Sequence, residues 1–136
     1  MSHSLFLNLP SADLKRSMDF FRKLGFAFEP RFTNDDAACM VVDERNIFVM
    51  LLRPSFFQTF TSKPITDATK STEVLVCLSL GTRAEVDAMV AKAKAAGGTI
   101  SREPEDQGFM YSHAFEDLDG HIFELVWMDS QAQPAH

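Results

Sequence analysis

Few side chains in this sequence are of types that do chemistry, and Glu124 leads them. It is a carboxylate inside Ile122-Phe123-Glu124-Leu125-Val126, a run of apolar neighbours. Burial in such a run raises a carboxyl's proton affinity, which suits a general base. The bland alternative is a carboxylate satisfied by an arginine or by backbone. Tyr111, His113 and Phe115 alternate and so share one strand face. They bring an imidazole and a phenol beside the last strand, although a strand histidine is more often hydrogen-bonded scaffold. His121 follows Asp119-Gly120 and reads as a surface or turn residue. His3 and His136, near the ends, are given no role. The chain has no GxSxG, no phosphate-binding glycine loop and no CxxC pair. Nucleophile-elbow hydrolysis, phosphate cradling and a CxxC zinc site are therefore unsupported.

The spacing of apolar residues supplies the elements that must position these groups. Leu5 to Leu9 reads as a strand that Pro10 ends. Ser11 or Asp13 then caps a helix whose stripe is Leu14, Met18, Phe21 and Leu24, with Gly25 as its stop. Strands follow at about Phe26–Phe32, Ala37–Val42 and Ile47–Leu52. A connecting segment from Pro54 to Lys70 carries Phe56, Phe57 and Phe60, which read as a lid or as a plug. The order then recurs. Thr72–Leu80 is a strand, and Thr82 with Glu85 forms a capping box. Val86, Met89, Val90 and Ala93 make a second helical stripe, stopped by Gly97-Gly98. Strands close the chain at about Thr99–Glu103, Met110–Glu116 and Ile122–Met128, with Asp119-Gly120 as the last hairpin signal.

The expected fold is α+β: two βαβββ modules whose curved sheets surround a cavity, each with a helix on its outside. The whole chain is expected to be one domain. Module one covers about residues 4–53, the linker about 54–71, module two about 72–129, and a frayed tail the rest. Thirteen Phe against one Tyr and one Trp imply apolar walls. A net charge of −6 with no run of Lys and Arg excludes an ordinary nucleic-acid binder. No apolar run approaches the length of a membrane span, and no signal peptide is visible, so the cytoplasm is expected. Cys39 and Cys77 both sit in apolar strand runs and read as reduced core residues.

Three stretches together resemble the vicinal-oxygen-chelate superfamily of glyoxalases, bleomycin-resistance proteins and extradiol dioxygenases. They are Asp13 to Phe26, Ala95 to Gly98, and Phe115-Glu116-Asp117-Leu118-Asp119-Gly120-His121-Ile122-Phe123-Glu124-Leu125. Met110-Tyr111 and Leu125-Val126-Trp127-Met128-Asp129 look like the branch labelled lactoylglutathione lyase. The resemblance implies a small-molecule ligand, a twofold homodimer, and often a divalent metal held at four strand positions. Glu124 matches the carboxylate position, as a metal ligand or a base. The other three fall at Phe6, Met50 and Leu75, with Asn8 and Glu73 two residues away on the same faces. Apolar residues at three positions argue against a metal, so no cofactor is expected and no residue is assigned as a ligand. Glu124 is the candidate catalytic residue. Phe6, Asn8, Met50, Leu75, Tyr111 and His113 are the candidate substrate-binding residues. Two functions compete: a glyoxalase-type lyase, and a metal-free binding protein of the bleomycin-resistance type.

Overall fold

The computed structural model describes residues 3–130. The chain divides between Thr66 and Asp67 into two compact units, inside the segment that the sequence marks as the linker. Each unit holds one four-stranded sheet of the same topology.

The first unit runs β1 (Leu5–Pro10), α1 (Leu14–Lys23), β2 (Ala27–Phe28), β3 (Ala37–Asp43) and β4 (Ile47–Leu52). Its strand order is β1-β4-β3-β2. The edge strand β1 runs parallel to β4, and the remaining pairs are antiparallel. Asp13 caps α1, its carboxylate accepting the Arg16 N–H at 3.1 Å. The other candidate cap, Ser11, is buried and shares a 2.8 Å hydrogen bond with the Ser17 hydroxyl. Gly25 ends the helix at φ +105°, a conformation that a side chain disfavours. The second strand is much shorter than expected. Pro30 starts a 3-10 turn over Pro30–Phe32, because its ring cannot donate to a ladder. Alternation then sorts the sheet: Val49 and Leu51 are buried, while Phe48 and Met50 on the other side are only half-buried.

A short helix, α2 (Pro54–Phe57), and a 3-10 turn over Gln58–Phe60 follow. Phe56 and Phe60 pack edge to face at 5.2 Å, yet Phe60 stays largely exposed.

The second unit runs β5 (Leu75–Ser79), α3 (Arg83–Ala95), β6 (Glu105–Asp106), β7 (Met110–Glu116) and β8 (Ile122–Met128), in the order β5-β8-β7-β6. Thr82 caps α3 by accepting the Glu85 N–H at 3.1 Å. The Glu85 carboxylate reaches back one residue further than a capping box requires, to the Gly81 N–H at 3.0 Å. Val86, Val90 and Ala93 form its buried stripe. The expected strand at Thr99–Glu103 reduces to one bridge between Thr99 and Glu116, and pairing resumes only at Glu105 and Asp106. No helix among the described residues is long and apolar enough to cross a membrane.

Candidate functional site

Glu124 sits at the middle of β8, paired with Cys77 of β5 on one side and Ala114 of β7 on the other. Paired positions share a sheet face, so Leu75, Cys77, Ala114 and Glu124 stand together. The other face carries Val76, Phe115, Phe123 and Leu125, all buried, and α3 covers it. Glu124 is thus on the open face, where Leu75 is 53% exposed and Cys77 is exposed.

Glu124 is only partly buried, and it has the arginine partner that the bland alternative allowed. Its side chain is 32% exposed and meets the Arg102 guanidinium, itself 29% exposed, at 3.6 Å from Nη2 to Oε2. Arg102 lies on the segment that runs past the outer edge of β7, between the Thr99 bridge and β6. Ala114 stands between that segment and Glu124 in the register, and a methyl group leaves the guanidinium room to cross it. The Cys77 thiol is pushed up from its ordinary proton affinity, first by burial and then by the Glu124 charge. It is therefore a poor nucleophile. The expectation of a core residue holds for Cys39, which is buried, and fails for Cys77.

Tyr111 and His113 do not join Glu124. They pair with Trp127 and Leu125, on the face that α3 covers. The Tyr111 hydroxyl donates to the Asp87 carboxylate of α3 at 2.5 Å, and that bond leads the causes that raise the phenol's pKa. Arg83 stacks over the Tyr111 and Trp127 rings and donates to Asp106 at 2.6 Å and to the Gly108 carbonyl at 2.8 Å. Grouping Tyr111 and His113 with Glu124 is corrected for that reason: one residue of parity separates them. His113 Nε2 lies 3.2 Å from the Arg102 carbonyl. A carbonyl only accepts, so the ring carries its proton on Nε2. His113 therefore anchors the backbone from which Arg102 reaches Glu124.

In the first unit, Phe6, Asn8 and Met50 do share a face. Phe6 pairs with Phe48, and Asn8 with Met50. The Phe6 and Phe48 rings stack at 4.9 Å and 14°, and Phe6 is 48% exposed. Phe48, Cys77 and Arg102 were not singled out from sequence. Strand parity with Met50 and Leu75 points to the first two. Nothing local points to Arg102, whose contact depends on the route of an irregular segment.

The metal positions implied by the family resemblance hold a phenyl (Phe6), a thioether (Met50), an isobutyl (Leu75) and a carboxylate already paired with Arg102. Glu73, the alternative donor, precedes β5 and is exposed. A hard divalent cation needs several oxygen or imidazole donors, and this set does not fit one.

A different group does bring such donors together. In the β7–β8 turn, one ligand atom each from Asp117, Asp119 and His121 lie within 4.8 Å of one another. His121 is only 7% exposed, so it is a turn residue but not a surface one. Asp117 is 4% exposed. Its Oδ1 accepts the Asp119 and His121 N–H groups at 3.0 and 2.9 Å. Its Oδ2 is buried and accepts no hydrogen bond. Burial pushes the Asp117 carboxyl up to about 6, with the nearby His121 acting against that rise. The sequence signal was the alternation Asp117, Asp119, His121, which the hairpin reading absorbed.

Two sheets of identical order, each with a parallel pair at one edge and a long helix after its first strand, define a paired-βαβββ protein. The model of the Glyoxalase/Bleomycin resistance protein/Dioxygenase superfamily matches residues 3–125, and the chain belongs to that superfamily. No curated protein matches it. Among solved structures it is similar to hypothetical protein SA1046 of S. aureus, at 31% identity and TM-score 0.78, covering 93% of this chain and 94% of that one. It is also similar to a glyoxalase-related enzyme of Fulvimarina pelagi (19% identity, TM-score 0.81, 100% and 94% covered). A third is the bleomycin resistance determinant encoded on transposon Tn5 (20% identity, TM-score 0.64, 95% and 99% covered). The last two likenesses speak for the fold alone.

Proposed function

We propose that this protein binds a small, mostly apolar molecule without needing a metal, and that Glu124 with Arg102 is the polar anchor. The observation that carries this reading is their ion pair, each partner about a third exposed, on the open sheet face beside the exposed Leu75. Such a pair presents an acceptor and a donor side by side. A ligand amide or hydroxyl can donate to Glu124 while its carbonyl accepts from Arg102. Apolar contact comes from Leu75 on that face, and the Phe6–Phe48 stack with Met50 forms a similar surface on the first sheet. Faces of this composition suit aromatic or aliphatic compounds that carry one or two polar groups.

A lyase acting on a glutathione-linked molecule is the second reading. It is favoured by the match of Glu124 to the superfamily's carboxylate position. The two readings part under chelation. Protein stripped with EDTA is screened by ligand-observed NMR against small aromatic amides and hydroxylated aromatics. Binding that survives chelation and is lost in Glu124→Gln and Arg102→Met supports the binding protein. Turnover of a glutathione-linked substrate that appears only on restoring a divalent metal supports the lyase. The twofold dimer implied by the superfamily is proposed as well, and sedimentation at micromolar concentration checks it.

A further inference from the structure

The β7–β8 turn bears on a ligand in a way that the open sheet face does not. Asp117, Asp119 and His121 alternate through one tight turn, and one ligand atom of each lies within 4.8 Å of the others. Calcium loops place alternate residues around an ion in the same way. The turn is also held from outside. Gly120 has φ +88°, and a Cβ there would stand 2.9 Å from the backbone of Ala68 and Thr69. The segment around Ala68 therefore packs directly on the turn, and the donors sit on a fixed frame.

The convergence alone would be an ordinary acidic turn. A second observation points to a ligand. Asp117 is 4% exposed, and its Oδ2 is buried without any hydrogen-bond partner. A buried carboxylate oxygen left unsatisfied costs free energy, and native structures keep few of them. Oδ1 is already occupied by the turn's own N–H groups, so nothing in the turn's hydrogen bonding answers Oδ2. A cation would.

We infer that the turn binds one divalent transition cation of the zinc class, through Asp117 Oδ2, the Asp119 carboxylate and the His121 imidazole, with water completing the shell. Two carboxylate oxygens and an imidazole nitrogen suit such a cation, and two negative charges balance it. Ligand atoms about 2.0–2.2 Å from one ion stand roughly 3–4 Å apart. Turning the part-exposed Asp119 side chain closes the present spread of up to 4.8 Å. The ion's task is structural: it pins the turn that sets the start of β8, the strand that carries Glu124. This site is separate from the four strand positions implied by the superfamily resemblance, three of which hold no suitable donor.

The test titrates Co2+ into untagged, EDTA-treated full-length protein and follows the visible d–d absorption, with Zn2+ as competitor. The expected result is saturation at one equivalent, displacement by Zn2+, and a higher melting temperature with Zn2+ than with EDTA. Asp119→Asn keeps the shape and the backbone, and should weaken Co2+ binding by roughly tenfold or more. Glu124→Gln should leave it unchanged. No stoichiometric absorption by the wild-type protein overturns the inference, whatever the variants do. So does binding that Glu124→Gln abolishes and Asp119→Asn leaves intact. The latter result would place the ion on the open face, and it would contradict metal-independent binding there as well. Absence of Co2+ binding leaves that proposal standing, so the two failures are distinguishable.

Discussion

The two faces of the second sheet are made by the same strands and differ in almost everything else. On one face Phe115 and Phe123 stack at 5.3 Å with parallel rings, Leu125 is fully buried, and α3 seals them. Even the polar groups there serve the scaffold: Tyr111 binds Asp87, and His113 fixes the Arg102 backbone. On the other face, one residue away along β8, Glu124 and Cys77 stay accessible and Arg102 reaches in from an irregular segment. Alternation lets one strand separate packing from exposure. Residues at 123 and 125 hold the sheet, and the residue between them stays on the open face, where the proposed ligand would meet it.

That division is open to attack, beginning with the largest expected effect. Phe123→Ala removes one ring of the buried stack and should cost about 3–5 kcal/mol in a denaturant melt. A cost under about 1 kcal/mol would mean that the covered face does not hold the fold.

The next effect belongs to the turn between the two strands. Asp117 has a folded pKa raised to about 6 by burial, against an ordinary aspartate value of 3.8. The folded state therefore binds the proton more tightly than the unfolded state. Its contribution is fully present below about pH 4 and is lost as pH rises through about 6. Chelated wild-type protein should lose stability across that window, relative to Asp117→Asn. The asparagine oxygen can still accept the two turn N–H groups. Parallel stability profiles for the two proteins would remove Asp117 as the cause.

Tyr111→Phe deletes the bond to Asp87 and should cost about 1 kcal/mol, with ligand binding unchanged. A loss of binding would return Tyr111 to the site. Glu124→Gln should change stability least. An ion pair with both partners near a third exposed contributes less than about 1 kcal/mol. A loss on the order of 3 kcal/mol would make it a structural ion pair instead.

How much of this was legible follows the same division. The bounds of β7 and β8 are those expected from sequence, because alternation and the Asp119-Gly120 turn are local signals. The stripe of α3 and its Thr82 cap were local too. β2 was expected too long and β6 was misplaced, because edge strands of two residues depend on their partners rather than on their own sequence. At the site, Glu124 could be found from its setting in an apolar run. Its face could be assigned relative to Tyr111 and His113 only once the register across the hairpin was known. Arg102 was not legible, since no periodicity describes an irregular segment that crosses a strand edge. The Asp117 group was visible as letters, and its meaning lay in a burial that only packing reveals.

The proposed binding role requires Glu124 to be a ligand anchor rather than scaffold. The most direct measurement is a titration of the tightest-binding amide or hydroxylated aromatic from the screen into EDTA-treated wild-type protein and Glu124→Gln, side by side at equal folded fraction. Saturable binding to the wild type that is lost in the variant is the predicted result. Equal affinity for both proteins would contradict the account.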